Sequence, residues 1–176
     1  MINIVVGNNN DKLLPICIES LLGQTLPVQI YVLKCTDQCK ERYKDKIIPV
    51  GIPAIDLVVT GLGLGQNQSG DAFGLVTANQ VCYKSKYKIL WDRLQKNDAV
   101  SYVYSDYELN NQYQIEFPFD LRVIGTGYRP KPFGLFKTSS CKGLNPSTIM
   151  DQLMQTTMFL HCPESLYGEQ NDPYYR

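Results

Sequence analysis

Apolar residues fall into short blocks along this chain, and the spacing within each block predicts an element. Ile2, Ile4, Val5 and Val6 crowd into a short strand closed by Gly7. Leu14, Cys17, Ile18, Leu21 and Leu22 then recur at i, i+3, i+4, i+7 and i+8, which predicts one buried helix face. Asp11 can cap that helix, and Pro15 falls in its first turn, where a missing N–H costs little. Gly23 stops it, and Pro27 precedes a second strand from Gln29 to Leu33. A strand–helix–strand unit of this length demands parallel pairing through a right-handed crossover. The chain therefore reads as α/β, a Rossmann-like domain with a mostly parallel central sheet flanked by helices. Any ligand belongs at the carboxyl ends of its strands.

The remaining blocks are shorter. Residues 36 to 46 are polar and suit a solvated helix. Ile47 to Val50 and Ile55 to Val59 read as two strands around a turn at Gly51 to Pro53. The glycine-rich stretch from Gly61 to Gly70 reads as a loop bordering a cleft. As a dinucleotide fingerprint it lacks the third glycine at the right spacing. As a P-loop it carries Asp71-Ala72 where Lys-Ser/Thr would hold phosphate and magnesium. Ala72 to Val76 is the next strand. Ser85 can cap a second helix whose Tyr87, Leu90, Trp91 and Leu94 share a face, ending at Asn97-Asp98. Val100, Tyr102 and Tyr104 alternate as in a half-buried strand, Asn110-Asn111 turns the chain, and Tyr113 to Phe117 returns. Residues 125 to 147 read mostly as loop, with Leu135-Phe136 extended. A third helix starts near Ser147 or Thr148, runs to about Thr157 and buries Ile149, Met150, Leu153 and Met154. Met158 to His161 is a last strand, and Pro163 to Tyr167 leads into a polar tail.

Composition narrows the function classes. At 176 residues with 44% hydrophobic residues, one domain with a real core is expected, spanning residues 1–176. Its nucleotide-binding half would cover about 1–80 and its acceptor or catalytic half about 81–170. Seventeen basic residues balance seventeen acidic ones, which argues against nucleic-acid or membrane-surface binding. No run approaches the roughly 18 apolar residues of a membrane span. Ile2 opens a strand without the basic start of a signal peptide, so a cytoplasmic protein is expected. The six cysteines read as buried thiols rather than a disulfide framework. Cys35 and Cys39 lack a matching pair for zinc, and His161 is the single histidine.

Three segments together resemble the family 2 glycosyltransferases. Cys17-Ile-Glu-Ser-Leu-Leu-Gly-Gln-Thr25 is similar to that family's first helix, Cys-Ile-x-Ser-Leu-Leu-x-Gln-Thr, and Gly7-Asn8-Asn9-Asn10 sits at the preceding turn. Lys88-Ile-Leu-Trp-Asp-Arg-Leu94 to Val103-Tyr-Ser-Asp106 resembles its central helix and Val-Tyr-Ser-Asp strand. Met150-Asp-Gln-Leu-Met154 and Leu160-His-Cys-Pro-Glu-Ser-Leu-Tyr167 resemble its Asp-x-x-Leu helix and Pro-Glu-Pro-Leu-Tyr segment; residues 38 to 72 match poorly. The resemblance implies a GT-A fold and inverting sugar transfer from a nucleotide-diphosphate sugar to a saccharide or other hydroxyl acceptor. It implies Asp151 as general base, and Gly7, Asn8, Asn9, Asn10, Lys34, Thr77 and Asn79 as the lining of the nucleotide-sugar pocket.

It also implies two acidic features that are missing here. Lys34-Cys35 stands where an Asp would read the nucleobase. Thr77-Ala78-Asn79-Gln80 stands where a DxD motif would hold Mn²⁺ or Mg²⁺ on the diphosphate. Asn79 offers one neutral oxygen, and the Asp106-x-Glu108 pair is a substitute metal candidate or a solvated strand end. Lys84, Lys86 and Lys88 could neutralise a diphosphate or simply form a wet face. Asp151 itself is either a base or a first-turn carboxylate satisfying helix N–H groups. A glycosyltransferase is thus weighed against a non-catalytic or accessory protein of the same fold that has lost the donor and metal site, and against a nucleotidyltransferase-like domain.

Overall fold

Strand β1 (Ile2–Gly7) is buried at all six positions because it lies between two parallel neighbours. A strand covered on both faces reads as a continuous apolar run, as this one does. The structure, a computed structural model, describes residues 1–51, 56–118 and 127–169. Helix α1 (Leu14–Leu22) returns the chain to β2 (Val28–Leu33), and it buries Leu14, Cys17, Ile18 and Leu21. Leu22, expected on that face, is 37% exposed. Asp11 does not cap the helix, because α1 begins three residues beyond it. Instead the Asn10 side-chain oxygen accepts from the N–H groups of Lys12 and Leu13 at 3.0 and 3.3 Å. Asp11 accepts from the Asn8 amide at 2.6 Å.

Helix α2 (Asp37–Tyr43), capped by Thr36, and β3 (Ile48–Val50) follow as expected. The next segment overturns the sequence reading. The strand expected at Ile55 to Val59 and the loop expected at Gly61 to Gly70 are largely one helix, α3 (Leu57–Asn67); residues 52 to 55 lie outside the described part. Asp56 starts it by accepting from the N–H groups of Val58 and Val59 at 2.9 and 3.1 Å, an interaction worth about 1 kcal/mol. Its glycines are packing residues. A Cβ on Gly61 would stand 2.4 Å from Leu75 Cδ1, and one on Gly65 would stand 2.2 Å from Phe73 Cδ2. One turn apart, the two glycines let the helix lie directly on β4 (Ala72–Thr77).

Beyond β4 come β5 (Gln80–Cys82), α4 (Lys86–Gln95), β6 (Val100–Leu109) and β7 (Gln112–Gln114). Ser85 occupies the first cap position of α4 without a side-chain cap bond. Asn110 and Asn111, with φ of 51° and 63°, make the β6–β7 turn, the left-handed pair that a tight hairpin requires. Then follow β8 (Leu135–Lys137), the short helix α5 (Thr138–Cys141), α6 (Ile149–Thr156) and β9 (Met158–Glu169). The last strand, expected to end at His161, continues past Pro163 with a register shift, Ser105 pairing with Cys162 and Asp106 with Ser165. β6 is buried from Val100 to Asp106 rather than half-buried, since it pairs with β8 on one side and β9 on the other.

The described strands form one sheet in the order β3-β2-β1-β4-β8-β6-β9-β5, with β7 paired to β6. Its first half is parallel, and β8 runs antiparallel to both β4 and β6. The carboxyl ends of β1, β2, β4, β6 and β9 therefore share one edge. One face packs Ile4, Ile18, Tyr87 and Leu90 under α1 and α4; the other packs Val5, Phe73, Tyr102 and Leu153 under α3, α5 and α6.

The three lysines near α4 do not act as a set. Lys84 and Lys88 are exposed, and Lys88 pairs with Asp92. Lys86 is fully buried, its Nζ 4.2 Å from the Tyr167 ring centroid and 3.7 Å from Cys82 Sγ. Burial pushes its pKa down, against the pull of Cys82 and Cys17. The unfolded chain thus binds more protons there, so stability rises with pH towards the unfolded lysine value of about 10.4. Lys86→Met is expected to be more stable than wild type near neutrality by about 1 kcal/mol or more. That gap closes as the pH is raised in thermal melts. Parallel melting curves for the two proteins at every pH would contradict this.

Candidate functional site at the carboxyl edge

Three adjacent parallel strands end together. Gly7 is in register with Leu33 on one side and Thr77 on the other, so the turns after β1, β2 and β4 meet. Asn8 is buried there and donates to the Lys34 carbonyl at 3.0 Å as well as to Asp11. Lys34 takes φ of 53°, in the left-handed region, and its side chain is exposed. Asn9 is exposed, while Asn10 is occupied in starting α1. Of the asparagine turn, only Asn9 presents its side chain outward; Asn8 and Asn10 shape the edge.

The segment after β4 is equally fixed. The Ala78 N–H donates to the Gly7 carbonyl at 3.0 Å, and the Thr77 hydroxyl donates to Asn79 Oδ1 at 2.6 Å. The Thr77 N–H donates to Gln80 Oε1 at 3.2 Å, and Gln80 Nε2 donates to Glu169 Oε1 at 2.9 Å. The other Glu169 oxygen accepts from Lys131 Nζ at 3.0 Å. A bonded chain therefore leads from the end of β4, through the end of β9, to Lys131.

Near the end of β6, Asp106 is 2% exposed and fully engaged. Oδ2 accepts from the Tyr113 hydroxyl at 2.6 Å. Oδ1 accepts from the Glu116 N–H at 2.9 Å and lies 2.7 Å from His161 Nε2. The hydrogen bond to Asp106 raises the Tyr113 phenol to about 12, and burial raises the Glu116 carboxyl. Tyr128 donates to Glu116, and next to it Arg129 pairs with Asp151. Asp151 stands in the first turn of α6 with its side chain 48% exposed. Since α6 runs back towards the start of β9, Asp151 also lies towards the carboxyl edge.

The donors do not fit a divalent cation. Asn79 Oδ1 already accepts from Thr77, Asp106 is filled by Tyr113, Glu116 and His161, and Glu108 bonds the Tyr83 hydroxyl. Among the described residues no group of three or more His, Cys, Asp or Glu side chains could hold a metal.

No protein-family model and no curated protein matches the chain. Solved structures do. S. aureus TarS superposes with a TM-score of 0.73 at 13% identity, over 98% of this chain and 37% of TarS. TarS 1–349 in complex with UDP-GlcNAc gives 0.73 at 14% identity, over 97% and 58% of the respective chains. The UDP complex gives the same score at 14% identity, over 98% and 61%. This chain has a glycosyltransferase-like fold. It spans less than two thirds of the TarS chains it resembles, and at this identity the likeness is one of fold.

Within that fold, sequence reading singled out the strand-end residues but missed their connections. Gln80, Glu169, Lys131 and Arg129 had no motif to announce them. Each is a lone polar residue whose partner lies between 22 and 89 positions away. No helix among the described residues is long and apolar enough to cross a membrane.

Proposed function

We propose that the chain is a glycosyltransferase that binds a nucleotide-diphosphate sugar at the carboxyl edge and passes the sugar, with inversion, to a hydroxyl acceptor. The acceptor oxygen attacks the anomeric carbon as the bond to the diphosphate breaks. Its proton goes to the Asp151 carboxylate, and the nucleoside diphosphate leaves. The observation that carries this is the convergence of Asn8, Lys34, Thr77 and Gln80 where β1, β2 and β4 end together. Ligands of open parallel sheets bind at that edge, and the neighbour of this fold is crystallised with UDP and UDP-GlcNAc. No step is routed through a metal, for want of donors.

A second reading is binding without turnover, as a non-catalytic or accessory protein. The Arg129–Asp151 ion pair favours it, because the carboxylate that would take the acceptor's proton is already engaged by a guanidinium. Thermal melts with UDP, GDP and dTDP sugars test the shared premise. A ligand at a hundredfold its dissociation constant adds about 2.7 kcal/mol to stability. A melting temperature unmoved by every nucleotide sugar, with and without Mn²⁺, would sink both readings.

A further inference from the structure

We infer that Lys131, anchored through Glu169 and Gln80 to the backbone after β4, supplies the positive charge that neutralises the diphosphate of the donor, making binding independent of a divalent cation. The inference rests on reading the carboxyl edge as a nucleotide-diphosphate-sugar site, and it names the charged group of that site.

The need comes from chemistry. A diphosphate brings negative charge to the ends of β1, β2 and β4, and the segment Thr77–Gln80 contains no carboxylate with which to recruit a metal. A cation must come from a side chain. Exposed lysines are numerous, yet several are paired elsewhere. Lys40, Lys44 and Lys88 pair within their own helices, Lys137 pairs with Asp98 at the amino end of β6, and Lys86 is sealed in the core. Lys131 differs in being held to the segment after β4.

Three contacts fix it. Its Nζ is 3.0 Å from Glu169 Oε2 and 3.9 Å from the centroid of the Tyr107 ring. Its backbone carbonyl accepts from the buried Tyr102 hydroxyl, which in turn accepts from the Gly134 N–H at 2.9 Å. Glu169 is only 11% exposed at its side chain, whereas Lys131 is 35% exposed. The carboxylate is the buried member and the ammonium the one that reaches solvent. Burial opposes the charge on Lys131, but Tyr107 and Glu169 outweigh it and raise the pKa, so the ammonium persists at any physiological pH.

The same carboxylate reaches the nucleotide edge through Gln80. Gln80 is completely buried, with Nε2 on Glu169 and Oε1 on the Thr77 N–H. An amide at this position can bridge an acceptor and a donor at once; a carboxylate could not. The lysine is thereby tied, in two side-chain steps, to the point where the metal-binding motif of the resembled family would begin. A preorganised cation loses little freedom on meeting a phosphate, and each charge-assisted hydrogen bond to phosphate is among the strong ones.

Calorimetric titration of the full chain with UDP, GDP, dTDP, uridine and inorganic pyrophosphate tests this, each in EDTA and in Mn²⁺. At least one nucleoside diphosphate is expected to bind in EDTA, with affinity changed less than about threefold by Mn²⁺. Lys131→Ala is expected to weaken that diphosphate and pyrophosphate about ten- to a hundredfold, with Lys131→Arg retaining most of the affinity. Uridine binding should stay near wild type in Lys131→Ala, although the ligand-free melting temperature falls as Glu169, 11% exposed, loses its counter-charge. Diphosphate binding that requires Mn²⁺, or survives Lys131→Ala, overturns the inference and leaves the proposed function standing. Uridine and diphosphate weakened alike also overturn it, because Lys131 would then act through the fold. If no nucleoside diphosphate and no pyrophosphate binds the wild type, the proposed site falls and this assignment with it.

Discussion

Asp151→Asn is expected to lower sugar transfer about a hundred- to ten-thousandfold while leaving the nucleotide-induced rise in melting temperature intact. The substitution keeps shape and one acceptor oxygen for Arg129 but removes the basic site proposed to take the acceptor's proton. Its structural cost is small. The carboxylate and guanidinium are 48% and 42% exposed at their side chains, and surface ion pairs of this kind contribute about 0–1 kcal/mol. A defect in rate with binding preserved is therefore a statement about proton transfer and not about folding. Single-turnover transfer and thermal shift measured on one preparation separate the two. Transfer reduced less than about fivefold would remove Asp151 from the role of base, since positioned general bases contribute far more than that.

Gly134→Ala is expected to destabilise the protein by about 3 kcal/mol or more, the upper range for overpacking a close-packed interior. The added methyl would stand 2.0 Å from the Val103 carbonyl oxygen and 2.9 Å from two atoms of the Tyr102 ring. The first is backbone in the centre of the sheet and cannot rotate away. Tyr102 is fully buried, stacked on Phe136 at 4.2 Å between ring centroids, and its hydroxyl bonds both Gly134 and Lys131. Relief must come from moving the start of β8 off β6. For a chain of this size the loss corresponds to a melting temperature lower by roughly 6–12 °C. Because the Lys131 backbone hangs on the same tyrosine, the variant should also weaken pyrophosphate binding. A melting temperature within about 2 °C of wild type would show that the β6–β8 contact is looser than described.

The contrast between α1 and α3 explains how much could be read in advance. In α1 the apolar residues recur at helical spacing among polar ones, and one face against the sheet produces that pattern. In α3 the sequence Leu57–Asn67 has glycine where a helix normally has a side chain, and glycine is a poor helix former. The helix forms because Gly61 and Gly65 let it approach Leu75 and Phe73 more closely than any Cβ would permit. Local propensity argued for a loop; the gain from tight packing on β4 won. Similarly, the alternation in β6 suggested one wet face, but β8 and β9 flank it and helices cover both sides.

The candidate site divides the same way. Strand ends, the turn after β1 and the first turn of α6 were legible, because each depends on residues within one short segment. Asp151 and Thr77 were singled out by position. Their longer connections were not, since Arg129 meets Asp151 and Gln80 meets Glu169 only when distant segments are brought together.

By itself, the sequence determined the α/β class, the parallel β1–α1–β2 unit and the absence of paired carboxylates after β4, all of which are properties of contiguous residues. Tertiary structure alone decided that a glycine-rich stretch is a helix and that Lys86 is buried while Lys131 is presented. It also decided that Asp106 is committed to Tyr113, Glu116 and His161. The physical reason is that burial and hydrogen bonding are made between segments. A polar side chain has no defined role until packing decides whether water, a carboxylate or an aromatic ring stands opposite it.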